Sequence, residues 1–239
     1  MSAAPFQRPA PALLEALQEV SSAAASGALT RFGVPNHYCV GLRPLLPGRR
    51  LLGVAVTLRY VPTRPDLAER LRAATLPSLE AIEFLQPGDV LVVDALGRTD
   101  GGHLGDVMAT RIQVKGAAGL VVDGAVRDFP FLQQMDLPIF ARGVVGPPSP
   151  LLPVEYNVPV HCAGALVQPG DLILGDDDGV CVIPQAWAAE VARVAREAEE
   201  LEVFLRQKLL EGRSIIGVYP PGEAIRREYE ASRQRSSGG

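Results

Sequence analysis

Hydrophobic positions along the chain switch between helical and strand periods. The stretch "LLEALQEVSSAAASGAL" (13–29) has apolar residues at three- and four-residue steps and predicts a helix. "LLGVAVTLRY" (51–60) is β-branched and bounded by Gly48 and Pro62, which predicts a strand. "DLAERLRAATLPSLEAIEFL" (66–85) predicts a helix with a break at Pro77. Short apolar runs predict strands at 90–93, 119–122, 137–141, 158–163, 171–174 and 179–183, with a helix starting near Gly105. From Trp187 onward one apolar stripe (Trp187, Val191, Val194, Ala198, Leu201, Leu205, Leu209) predicts a long helix over 185–211. Glu197, Glu199, Glu200 and Glu202 flank it as an acidic face that reads first as solvated. The stripe has no evident partner earlier in the chain, so it either covers the core or packs on another subunit.

This alternation gives an α/β class. Residues 13–220 read as one domain, preceded by a flexible Ala/Pro-rich segment (1–12) and followed by a polar tail (221–239). "QPGDVLVVDALG" (86–97) and "QPGDLILGDDDG" (168–179) echo each other. The echo is either a Pro-Gly turn used twice to launch a strand or a duplicated unit.

Composition narrows the classes. Lys+Arg 23 against Asp+Glu 27 gives a formal charge of -4, with no basic block for a nucleic-acid surface. Cys39, Cys162 and Cys181 are far apart in sequence and form no CxxC, so neither a disulfide framework nor structural zinc is expected, and a reducing cytoplasm suits them. There is no convincing signal peptide, and eighteen apolar residues never run together, so no membrane span is expected.

Candidate chemistry concentrates in "GGHLGDVMATRIQVKGAAGLVVDGAVRD" (101–128). The glycines at 101, 102 and 105 permit tight turning and close approach to a ligand. If a helix starts here, the amides of Gly105, Asp106, Val107 and Met108 are its first-turn donors and favour a carboxylate or phosphate. The plainer alternative is a glycine turn with Asp106 complementing the helix dipole. Neither a Walker loop nor the G-x-G-x-x-G spacing is present. After the strand at 119–123, Arg127 can grip a carboxylate with its planar fork, or form a surface ion pair. Asp128 can bind a hard cation such as Mg²⁺ together with waters, or cap the helix that begins "FPFLQQM". Asp94 and Asp123 end strands and carry less weight. Asp176, Asp177 and Asp178 lack EF-hand spacing and read as a hairpin turn. His37, His103 and His161 have no ligand spacing, and no G-x-S-x-G elbow occurs.

"GGHLGDVMAT", "KGAAGLVVDGAVRD" and "NVPVHCAGALVQPGDLILGDDDGVCVIP" resemble the family of the regulator of ribonuclease activity A, and within it the 4-hydroxy-4-methyl-2-oxoglutarate aldolase branch. The similarity runs from about residue 15 to about residue 220. It implies a compact layered β/β/α domain with a central barrel-like sheet core and a long C-terminal helix, assembled as trimers or hexamers with sites between subunits. It also implies a class II aldolase that releases pyruvate from 2-oxo acids and decarboxylates oxaloacetate. By position, Asp128 would bind Mg²⁺ or Mn²⁺ and Arg127 the pyruvoyl group. Gly105, Asp106, Val107 and Met108 would offer amides to the substrate carboxylate, and Asp106 would hold a water on the ion. A glutamate from a neighbour's C-terminal helix would complete the set. Glu200 is the choice here, with Glu197, Glu199 and Glu202 as alternatives. The competing reading is a non-catalytic regulator that acts by protein binding, as the founding family member does.

Overall fold

The computed structural model describes residues 6–72 and 74–236. In chain order the elements are α1 (Pro11–Leu17), α2 (Ser22–Arg31), β1 (Tyr38–Cys39), β2 (Arg43–Pro44), β3 (Leu51–Pro62), α3 (Pro65–Arg72), α4 (Pro77–Phe84) and β4 (Asp89–Gly102). Then follow α5 (Asp106–Val114), β5 (Gly119–Val126), α6 (Phe129–Leu132), β6 (Ile139–Val144), β7 (Leu151–Tyr156), β8 (Val160–Cys162) and β9 (Ala165–Val167). The chain ends with β10 (Leu172–Asp176), β11 (Gly179–Ile183), α7 (Ala188–Leu210) and α8 (Glu223–Ser236).

One mixed sheet carries the fold, in the order β1-β11-β10-β3-β4-β5-β6-β2. Strands β3 to β6 run parallel, while β10 and β11 return antiparallel. β7 adds antiparallel to the far half of β3. The sheet curls until its ends meet. The Arg43 guanidinium on β2 donates to the Asp178 carbonyl in the β10–β11 turn, and Gly48 N donates to Asp177 Oδ1 at 2.8 Å. "GDDDG" is thus a hairpin turn, and Asp176 accepts from Ser22 N and Oγ.

The period-2 alternation of each strand divides the core. Ala55, Val90, Val92, Val121, Phe140, Ile173, Val180 and Val182 fill the inside of the curl. Val56, Leu58, Leu91, Val93, Leu120 and Val122 face outward against α4 and α5, where Ile82 and Ile112 cover them. On the opposite flank Leu172, Leu174, Cys181 and Ile183 take α1, α2 and α7. The layered α/β domain with a barrel-like core and a long C-terminal helix is therefore what the chain forms. The three cysteines are free and buried.

Both "QPGD" stretches are the same turn. Gly88 and Gly170 take φ +85° and +93°, and each Asp side chain (Asp89, Asp171) accepts the backbone N–H of its Gln at 2.8 Å. Glycine is needed at the third position because an L side chain rarely adopts that φ.

Two expectations change, and of the alternatives left open for the α7 stripe the first, that it covers the core, is the one found. The helix over 13–29 is two helices: Ser21 Oγ caps α2 by accepting from Ala24 N, and Arg50 donates to the carbonyls of Leu17 and Val20 that end α1. The stripe on α7 has partners within the chain. Trp187 stacks on Phe32, Val191 is buried with Leu172 and Leu174, and Leu205 packs with Val218 and Ile225. The stretch read as a tail contains α8, anchored through Ile225. Residues 1–5 and 237–239 of the expected flexible ends lie outside the described residues, while Phe6 packs on the core and Arg8 pairs with Asp89 at 2.7 Å.

Candidate active site

The parallel register brings the ends of β4 and β5 side by side. Gly102 is paired with Ala125, His103 N donates to Ala125 O at 2.9 Å, and Arg127 N donates to Leu104 O at 3.0 Å. Two turns therefore emerge together: one enters α5 at Asp106, the other enters α6 at Phe129. Gly105, Asp106, Val107, Met108, Arg127 and Asp128 all gather in this corner.

Gly105 is the N-cap of α5, and a Cβ there would overlap Asp128 Oδ2 and stand 3.2 Å from Arg127 Cγ. The missing side chain lets the Asp128 carboxylate settle over the helix start. Asp128 itself has φ +63° and its side chain makes no capping bond to α6, so capping does not explain this carboxylate. A non-glycine residue in that region costs of order 1 kcal/mol, which surrounding structure must hold in place. Its side-chain partner is Arg127 Nε, at 3.2 and 3.3 Å. The two terminal nitrogens of Arg127 make no hydrogen bond or ion pair among the described residues.

Asp106 accepts from Val107 N at 2.7 Å, so one of the four amides read as ligand donors is already occupied. Those of Gly105, Asp106 and Met108 have no acceptor among the described hydrogen bonds. Val107 is 78% exposed and Met108 is half-buried against the core.

Behind the corner, His103 is buried and its ring bridges two segments. Nε2 meets the Arg98 carbonyl at 2.9 Å and Nδ1 meets Ser149 Oγ at 2.8 Å. Burial holds its pKa below the ordinary imidazole value, so the neutral ring donates to Arg98 O and accepts from Ser149. Gly102 N donates to Pro147 O, which ties the same loop to the end of β4.

Glu200 does not join this corner within one chain. It lies on α7 with Arg233 at 3.5 Å and Tyr229 Oη at 3.5 Å. Glu197 pairs with Arg193, Glu202 with Arg206, and Glu199 accepts from Ser21 N. A groove of about 610 Å³ between α2 and α7 is lined by Gly27, Val194, Ala198 and Glu202 and contains none of the corner residues.

A second polar group escaped the sequence reading. Asp94 and Asp123 stand opposite each other in the β4–β5 register, and one ligating atom each from Asp94, Asp123 and His161 lies within 4.8 Å of the others. Asp123 accepts from Arg142 Nε at 2.5 Å and Ala163 N at 2.7 Å. Burial first, then Asp123, raises the Asp94 carboxyl above the usual carboxylate range. The only signal in the sequence was the repeated apolar-apolar-Asp ending at 94 and 123, and nothing placed His161 beside it.

Comparison with known proteins agrees with the fold. A crystal structure of Streptomyces coelicolor RraAS2, described as an unusual member of the RNase ES inhibitor RraA protein family, superposes with TM-score 0.77 at 38% identity. It covers 84% of this chain and 99% of that one. An uncharacterized protein from Pseudomonas syringae pv. tomato has TM-score 0.76 at 27% identity, with 89% and 99% covered. A Halalkalibacterium halodurans protein, provisionally named a 4-hydroxy-4-methyl-2-oxoglutarate aldolase, is 39% identical over 125 residues, which is 52% of this chain and 60% of the relative's length. The RraA-like family model, described as aldolase/RraA, matches residues 15–182, and the chain belongs to that family.

Proposed function

We propose that the protein is a divalent-metal-dependent lyase that cleaves 4-hydroxy-4-methyl-2-oxoglutarate-like 2-oxo acids to pyruvate and also decarboxylates oxaloacetate. The observation that carries this reading is the Asp128 carboxylate, free of any capping duty, resting over Gly105 beside an arginine whose terminal nitrogens have no partner among the described residues. The donor set suits a hard cation, because Mg²⁺ is commonly held by one or two carboxylates and keeps several waters. Asp128 would hold Mg²⁺ or Mn²⁺, with Asp106 nearby to orient a water. A bound ion would supply Lewis acidity toward the ketone of the 2-oxo acid.

The chain's own groups do the rest. The fork of Arg127 offers two parallel donors to the substrate carboxylate. The open amides of Gly105, Asp106 and Met108, at the positive end of α5, favour the same anion. When the C3–C4 bond breaks, its electron pair passes to the pyruvoyl fragment and negative charge grows on the C2 oxygen. The 4-hydroxyl proton is lost and a proton returns to C3, which gives pyruvate. Fixed donors around the growing charge lower the barrier because they need no reorganisation. In oxaloacetate the C3–C4 carboxylate bond breaks in the same sense and releases CO₂.

The corner opens at the surface, with Val107 and Phe131 exposed beside it. A second copy would cover it in a trimer or hexamer, and Glu200 on α7 would be the neighbour's contribution. A regulator of ribonuclease activity is the second reading, favoured by the family of the Streptomyces coelicolor structure. Pyruvate release from 4-hydroxy-4-methyl-2-oxoglutarate and from oxaloacetate, assayed with and without Mg²⁺, separates the two. Metal-stimulated turnover supports the lyase, and ribonuclease inhibition without turnover supports the regulator.

A further inference from the structure

The parallel strands end in a charged layer at the mouth of the curled sheet. Asp94 follows the inward-facing Val90 and Val92, Asp123 follows Val121, and Arg142 follows Phe140. The segment 157–163 straps across this layer. Thr57 Oγ1 donates to Val158 O, Arg59 donates to Pro159 O at 2.7 Å, and Ala163 N donates to Asp123 Oδ2. His161 sits in the middle of the strap, with Nδ1 3.9 Å from Asp123 Oδ2.

The charges in this layer do not balance. Arg142 answers Asp123, whose side chain is 1% exposed. Asp94, 6% exposed, accepts from Leu96 N but has no arginine or lysine partner among the described residues. A buried carboxylate beside another one either keeps its proton or takes a compensating charge. The strap carries a second shortfall: Asn157 is 4% exposed, and among the described residues neither its Oδ1 nor its Nδ2 has a hydrogen-bond partner. Among the described residues, polar capacity in this layer and at the start of its strap is left unmet.

We infer that Asp94, Asp123 and His161 form a divalent-cation site at the barrel mouth, separate from the Asp128 corner and suited to a first-row transition ion such as Zn²⁺ or Mn²⁺. One imidazole and two carboxylates match that class, whereas Mg²⁺ prefers oxygen ligands and water. Ligand atoms around a tetrahedral zinc are about 3.4 Å apart, given bonds near 2.1 Å. The present spread of up to 4.8 Å closes with movements of up to about 1.4 Å. His161 has that freedom, since its side chain is 66% exposed, while Asp123 is held through both oxygens. Arg142 and Ala163 N already hold Asp123 as outer partners hold metal-binding carboxylates. Gly164 N now donates to His161 Nε2, so the ring proton is on Nδ1. Binding through Nδ1 would shift that proton to Nε2 and turn the Gly164 amide to water.

The test is calorimetric titration of the full chain, stripped with EDTA, with Zn²⁺, Mn²⁺ and Mg²⁺ in turn. Asp128→Ala should keep one Zn²⁺ equivalent per chain, whether or not the proposed lyase chemistry is correct. His161→Ala, on the exposed strap, and the isosteric Asp94→Asn should each weaken that equivalent at least tenfold, with unchanged circular dichroism. A lone surface imidazole would be indifferent to Asp94→Asn. Zn²⁺ binding lost in Asp128→Ala, or undiminished in His161→Ala, would overturn the inference.

Discussion

The carboxylate of Asp128 occupies the space where a side chain on Gly105 would begin. Strand register brings together two residues that lie 23 positions apart in the chain. Gly105→Ala should therefore displace the carboxylate, although the backbone at 105 is extended and tolerates alanine. The expected result is at least a tenfold loss of metal-dependent pyruvate release with little change in melting temperature. Wild-type turnover in Gly105→Ala would show that the contact has no catalytic consequence.

Arg127→Lys keeps the charge and removes the fork. A lost charge-assisted hydrogen bond is worth about 1.5–3 kcal/mol, so kcat/KM for a 2-oxo acid should fall more than tenfold. Steady-state kinetics with oxaloacetate measures this directly. An unchanged kcat/KM would leave Arg127 as the surface partner of Asp128.

Asp171 gives a pH dependence of stability. It makes the same turn as Asp89 but has no counterpart to Arg8 among the described residues, and burial pushes its pKa up to about 6. The folded state then keeps a proton between about pH 4 and 6 that the unfolded chain releases. This group's contribution is fully favourable below the unfolded value and fades as pH rises through 6. Two units correspond to about 3 kcal/mol at most. Asp171→Asn should therefore gain on the parent in urea midpoint more at pH 7.5 than at pH 4.5. An equal difference at both values would contradict the assignment.

The corner was legible in the sequence because its parts are local: a glycine turn before one helix and Arg-Asp before the next, each at a strand end. The strand series and α7 were legible from periodicity. The split between α1 and α2 was not, because Arg50 and Glu199, which help define it, come from distant segments. β7 was hidden by Pro153 and by a register shift at Arg59/Tyr60. α8 is mostly charged and, among its described residues, buries Ile225 alone, so it gave no clear stripe. Asp94, Asp123 and His161 meet only through register and the strap over the barrel mouth.

Assembly is tested by complementation. If Glu200 completes a neighbour's corner, inactive Glu200→Ala and inactive Asp128→Ala chains should regain activity when unfolded and refolded together. In a closed ring some interfaces would pair an intact Asp128 with an intact Glu200. A mixture that assembles and stays inactive would exclude Glu200, and the same experiment can be run on Glu197, Glu199 and Glu202.

The central claim is that Asp128 holds a catalytic divalent ion. The most direct measurement is pyruvate release by EDTA-stripped wild type and Asp128→Ala as Mg²⁺ or Mn²⁺ is added back. A half-buried carboxylate whose side-chain partner is its own neighbour contributes little to folding, so both proteins should show the same circular dichroism. Activity should vanish on chelation, return with the ion in the wild type, and stay absent in Asp128→Ala at every ion concentration. Full activity after exhaustive chelation, or metal-restored activity in Asp128→Ala equal to that of the wild type, would contradict it.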